Sequence, residues 1–200
     1  VIVSVVDGGV EYTHPDLAAN MWEGIGRNFT GSLNGNKNIV PDEHGTHVAG
    51  TIAAVSNNGI GVSGIAGGRG YGDGVKIMTC QIFTEEDAAT DAESAAAIVY
   101  GADNGAIISQ NSWGYPINYA YNDATFNSRL GVIKSAIDYF VANAGLDENG
   151  KQVAPMAGGV VIFAAGNDGK QQAEYQLQLS SQLIQVGNGS HALLQEFDGH

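Results

Sequence analysis

Two hundred residues bound the chain to one domain or a large piece of one, and a hydrophobic fraction of 44% is enough to bury a sizeable core. Twenty-one acidic residues against eight basic ones leave a net charge of −13. That excludes nucleic acid and anionic membrane surfaces as partners, because both demand basic patches. The single cysteine, Cys80, excludes an internal disulfide framework, and no apolar stretch reaches the roughly 18 residues of a membrane span, so no membrane insertion is expected.

The chain opens on an apolar run, Val1 to Val6, that reads as a buried strand and ends in Asp7-Gly8-Gly9. A strand C-terminus is where an open α/β sheet presents its site residues. The two glycines leave room around the carboxylate and permit a tight turn. No signal peptide precedes this run, and a chain that begins mid-strand and ends without an evident stop reads as an excised piece. After His14-Pro15-Asp16-Leu17 comes His44-Gly45-Thr46-His47-Val48-Ala49-Gly50-Thr51, which leads into a short Ala-rich helix predicted over His47 to Val55. The glycine-rich stretch 67–74 runs into a strand instead of opening a helix, so it is a connector and not a phosphate cradle.

Val75 to Phe83 is the second predicted strand, with Cys80 inside it as a small buried apolar residue. A helix over Asp91 to Asn104 gathers Ala95, Ile98, Val99 and Ala102 on one face. Ala106 to Ser109 is the third strand. A long helix over Asn127 to Asn143 gathers Leu130, Ile133, Ile137, Phe140 and Val141, with Gly145 placed to terminate it. Asp147 to Lys151 forms a turn. Val160 to Ala165 is the fourth strand and runs into Gly166-Asn167. Val- and Ile-rich strands without clean alternation are covered on both faces. Strands alternating with helices give a doubly wound, mostly parallel α/β sheet with helices on both faces. That sheet is expected to be incomplete at both ends.

Attack on a peptide carbonyl needs a nucleophile, a base of near-neutral pKa, an orienting acid and donors for the oxyanion. His44 suits the base, Asp7 the orienter and Asn167 the oxyanion donor. No nucleophile is visible among the 200 residues. A zinc hydrolase is set aside: His44 and His47 are three apart, whereas the metal motif needs four with a glutamate between, and Gly45 weakens helix there.

In these blocks and their order, the chain resembles the subtilisin-like serine peptidases over residues 1–170. The resemblance rests on Val5-Val6-Asp7-Gly8-Gly9-Val10 with His14-Pro15-Asp16-Leu17, on His44 through Ala54, on Gly61 to Ala66, on Asn111-Ser112-Trp113-Gly114, and on Ala164-Ala165-Gly166-Asn167. It implies that Asp7 and His44 are the acid and base of a triad, that His47 is not catalytic, and that Asn167 serves the oxyanion. It also implies that Ser112, Trp113 and Gly114 bind substrate backbone as an added strand, with Ala164, Ala165 and Gly166 walling a pocket roomy enough for an apolar side chain. A structural calcium is implied at Asp16 and the loop 55–62, with Asn58 as second ligand; the competing role for Asp16 is a helix cap. A polypeptide substrate, a pro-segment or inhibitor as partner, and a secreted or cell-envelope location come with the same resemblance.

The chain departs from the family in three places. Gly8 stands where Ser or Thr is usual, which removes a hydroxyl near Asp7. The stretch between Ser112 and Asn167 is longer, with Tyr115, Tyr119, Tyr121 and Phe126 in it. The nucleophile block Gly-Thr-Ser-Met-Ala is absent, and Asn188-Gly189-Ser190-His191-Ala192 is a poor echo of it. Residues 171–200 are therefore expected to be a divergent or truncated tail of the domain, with the triad serine outside this chain. The 200 residues alone are expected to be inactive. The rival from another class is a catalytically dead module that binds peptides without cutting them.

Overall fold

The computed structural model describes residues 1–31, 38–115, 123–164 and the backbone of 183–186. In chain order the elements are β1 (Ile2–Gly8), β2 (Met21–Asn28), α1 (Glu43–Ala53), β3 (Lys76–Phe83), α2 (Asp91–Asp103), β4 (Ile108–Asn111), α3 (Asp123–Arg129), α4 (Gly131–Asn143), β5 (Val160–Ala164) and β6 (Leu183–Val186). The strands form one sheet in the order β2-β3-β1-β4-β5-β6, and every pairing is parallel. This is the doubly wound α/β architecture.

Side-chain alternation along the strands divides the core into two layers. Val3, Val5 and Ile77 face α1 and pack with Val10, Leu17, Ala49 and Ala53. Val6, Met78, Cys80 and Ile82 face the other side, against Ala95 and Ile98 of α2 and Ile133, Ile137 and Phe140 of α4. Both faces are apolar, so these strands lack the in–out alternation of a half-exposed sheet. At Gly101 the fit is tight enough that a Cβ would lie 2.7 Å from Ser4 Oγ. Cys80 is fully buried, as its apolar surroundings predict, and burial pushes its thiol pKa well up.

Two strands escape sequence reading. β2 has the segment Met21-Trp22-Glu23-Gly24-Ile25-Gly26-Arg27-Asn28, with a register shift between Met21 and Gly26 and a positive φ at Ile25. Glycines and an irregular edge hide it from an apolar-run criterion. β6 lies in the stretch read as divergent tail. Two helix boundaries also move. α1 begins at Glu43, four residues before the predicted start, because Asp42 caps it: Asp42 Oδ1 accepts from the backbone N–H of His44 and Gly45. The predicted single helix over 127–143 is two helices broken at Leu130, whose φ and ψ of −116° and 25° lie outside the helical range, with Gly131 next to it.

β1 lies between β3 on one side and β4 on the other, and the chain crosses over it between those two strands. The crevice past the C-terminal ends of these strands is the switch point where open α/β sheets bind ligands. Asp7 stands at its centre. It lies opposite Gln81 of β3, and the register slips between Asp7 and Gly8, an irregularity of the kind that re-aims a side chain.

Candidate active site

The Asp7 side chain has no exposed surface. Its Oδ1 accepts from the Gly8 backbone N–H and from His44 Nδ1, both at 2.7 Å. Its Oδ2 is buried without a hydrogen-bond partner among the described residues. Burial raises the Asp7 pKa above the usual carboxylate value; the hydrogen bonds from His44 and Gly8 oppose that rise, and the nearby charge of Asp42 adds to it. The carboxylate selects the His44 tautomer that carries its proton on Nδ1. That leaves the lone pair on Nε2, which has no partner among the described residues, and the ring is 55% exposed toward the crevice. Phe83, at the end of β3, stands beside the ring with its centroid at 6.0 Å.

His44 reaches this position because the first turn of α1 docks on the end of β1. Asp42 N–H donates to Gly9 O at 2.7 Å, and Gly9 bridges to Pro41. A Cβ on Gly45 would lie 2.2 Å from Gly8 O, so helix and strand backbones touch here and only glycine fits. This is why a poor helix former sits in a helix. Gly8 and Gly9 have a different role from the one predicted. Neither has a positive φ, and Gly8 belongs to the strand, so they make no tight turn. They allow close approach instead: the missing side chain of Gly8 leaves its space to Asp42, and that of Gly9 to Val40 O. Gln81 secures the preceding segment, accepting from Val40 N–H and donating to Val40 O, both at 2.9 Å. Sequence reasoning missed Asp42 and Gln81 as site residues. The signal for Asp42 was available, since an acid just before a helix start is a preferred cap. Gln81 carried no signal inside its apolar run.

His47 is exposed, and its backbone carbonyl accepts from the Thr51 hydroxyl at 3.1 Å. Ser112, Trp113 and Gly114 continue past β4, whose last residue, Asn111, pairs with Val6 on one side and Phe163 on the other. Trp113 packs edge-on against Phe163, at 5.3 Å between centroids, and Ala164 follows Phe163 at the end of β5. These predicted substrate-binding residues therefore gather at one edge of the crevice. Across it lies a cleft of about 690 Å³ lined by Val40, Pro41, Asp42, Glu43, His44, Thr84, Glu85 and Glu86. Ala165, Gly166, Asn167 and Ser190 lie outside the described residues.

The other predicted cluster also comes together. Asp16 is 2% exposed; its Oδ1 accepts from Asn58 Nδ2 at 2.7 Å and its Oδ2 from Val62 N–H at 2.9 Å. Its backbone carbonyl accepts from Val55 N–H. A carboxylate, an amide and backbone carbonyls are the donor types calcium prefers. Among the described residues no three His, Cys, Asp or Glu side chains group as a metal site, so an ion here would draw on the carbonyls of the loop. Asp16 is a loop anchor and does not cap a helix through its side chain.

With this geometry in place, known proteins supply the context. The profile of the subtilase family, peptidase S8, matches residues 1–190. The chain belongs to that family. It is 33% identical over 175 residues to fervidolysin of Fervidobacterium pennivorans, covering 84% of this chain and 20% of the relative. It is 29% identical over 184 residues to thermitase of Thermoactinomyces vulgaris, covering 90% of this chain and 52% of the relative. Among solved structures, sphericase superposes with a TM-score of 0.60 at 26% identity, covering 84% of this chain and 46% of that one. The chain thus spans about half or less of the length of these proteins.

Proposed function

We propose that this chain carries the acid and base of a subtilisin-type serine endopeptidase, with the nucleophile serine lying outside it. The observation that carries the reading is the 2.7 Å contact between Asp7 Oδ1 and His44 Nδ1 at the sheet's switch point, with Nε2 left open to the crevice. Family membership supports it. In this mechanism Nε2 takes the proton of the serine hydroxyl as that oxygen attacks the peptide carbonyl, and returns it to the leaving amine. Asp7 holds the ring and balances the imidazolium charge. Asn167 donates its amide to the tetrahedral oxyanion. Ser112, Trp113 and Gly114 align the substrate backbone, with Ala164, Ala165 and Gly166 beside the side chain preceding the cut.

A polypeptide substrate, a pro-segment or inhibitor as partner, and a secreted or cell-envelope location accompany this reading. The finer reading of the Asp16 loop is a structural calcium held by Asp16, Asn58 and loop carbonyls, which would fix the connection after α1. It is supported by the buried carboxylate around which the loop already folds.

The test is labelling by a fluorophosphonate probe, applied to the 200 residues and to the full-length protein. Labelling of the longer form alone is the expected result. Labelling of the short form would place the nucleophile within residues 1–200. If neither form labels although both are folded, the peptide-binding module becomes the better reading.

A further inference from the structure

Asp42 exchanges no proton in the mechanism above, yet its contacts tie the helix turn that carries His44 to the strand end that carries Asp7. Its Oδ1 accepts from the backbone N–H of His44 at 2.9 Å and of Gly45 at 3.1 Å, which fixes the first turn of α1. Its own N–H donates to Gly9 O, two residues beyond Asp7. Its carboxylate fills the space above Gly8, where a Cβ would lie 2.2 Å from Asp42 Oδ1 and 2.5 Å from Cγ. The bare position after Asp7 and the carboxylate at 42 are therefore one arrangement: a side chain at residue 8 would displace Asp42. No lysine or arginine pairs with Asp42 among the described residues.

We propose that Asp42 is a positioning residue for His44, locking the helix turn that carries the imidazole onto Asp7. The proposal rests on the peptidase reading for its catalytic consequence, but not for its geometry.

The charged side chains that line the cleft with His44 are all acidic among the described residues. Asp7 faces it from β1, Asp42 and Glu43 from the start of α1, and Glu85 and Glu86 from the segment after β3, with Phe83 the ring neighbour. Negative charge stabilises the imidazolium that forms when His44 accepts a proton. Asp42 differs from the glutamates because its cap bonds hold it in place. Its repulsion of Asp7 is the accompanying penalty, and it acts in the direction that raises the Asp7 pKa.

The experiment compares the full-length protein with its Asp42→Asn and Asp42→Ala variants. Asparagine keeps the cap acceptor and loses the charge; alanine loses both. Peptide hydrolysis is followed through kcat and KM, and the hydrogen-bonded Nδ1 proton of His44 by NMR. For Asp42→Asn, which keeps the cap acceptor, kcat should stay well above that of Asp42→Ala and the hydrogen-bonded Nδ1 proton signal should persist. For Asp42→Ala plateau kcat should fall about tenfold with KM little changed, because the ring loses its fixed position. An Asp42→Ala variant that keeps the parent's kcat and Nδ1 proton signal would overturn the proposal, as would an Asp42→Asn variant that falls as far as alanine. Should the parent hydrolyse nothing, the peptidase reading fails separately. The Nδ1 proton signal then decides alone, its loss in Asp42→Ala supporting the role of Asp42 and its persistence ending it.

Discussion

At the scale of single residues, Asp7 pits folding against chemistry. A raised folded-state pKa means that the folded protein holds the proton more tightly than the unfolded chain. The stability this lends is complete below the unfolded value of about 3.9 and fades as pH climbs through the folded value. At neutral pH the buried carboxylate is therefore a burden, and its Oδ2 lacks even a hydrogen bond among the described residues. Asp7→Asn should leave the melting temperature at pH 7 equal or higher while, on the proposed peptidase reading, lowering hydrolysis by the full-length protein by about four orders of magnitude, the loss known for this change in a serine peptidase triad. Calorimetry beside an activity assay checks both halves. Gly45 makes the complementary point. In an ordinary helix Gly→Ala stabilises by roughly 1 kcal/mol. Here the added methyl meets Gly8 O at 2.2 Å, so Gly45→Ala should destabilise by about 1–3 kcal/mol in denaturant titration and should move His44 off Asp7.

Among the elements, α1 and the loop after it carry the site, and they differ in how readable they were. Asp7 and His44 were legible because each lies in a tight local context whose chemistry is specific. The start of α1 was not, because Gly45 argues locally against helix and only the contact with Gly8 explains it. β2 was hidden by its glycines, and the break at Leu130 by the strong apolar face that runs across it. The pair Asp16 and Asn58 was legible, but the hydrogen bonds that wrap the loop around the carboxylate were not, since they join residues more than 40 positions apart. If calcium sits in this loop, adding the ion should raise the melting temperature of the full-length protein and a chelator should reverse it. At 100 times its dissociation constant the ion stabilises by about 2.7 kcal/mol. Asp16→Asn should abolish the response. An unmoved melting temperature would leave Asp16 as an anchor that needs no ion. α2 has its own local support, the capping box of Thr90 and Glu93, and Thr90→Ala should destabilise by about 1 kcal/mol in the same titration.

For the whole molecule, an all-parallel sheet means that nearly every strand pairing closes a long loop. Val3 meets Ile77 on one side and Ile108 on the other. Such topology folds slowly, because loop entropy is lost before the pairings reward it. The net charge of −13 adds self-repulsion that salt screens, so the melting temperature should rise between low and moderate ionic strength.

Cys80 turns this architecture into its own clock. It is the lone thiol of the chain, fully buried in β3 between the central strand and the layer of α2 and α4. A thiol reagent cannot reach it until the sheet parts, so the modification rate counts openings of the core rather than fraying of loops. No dye or inserted probe is needed to time them. Asp16→Asn or Gly45→Ala should speed the clock, and Asp7→Asn at neutral pH should slow it or leave it unchanged.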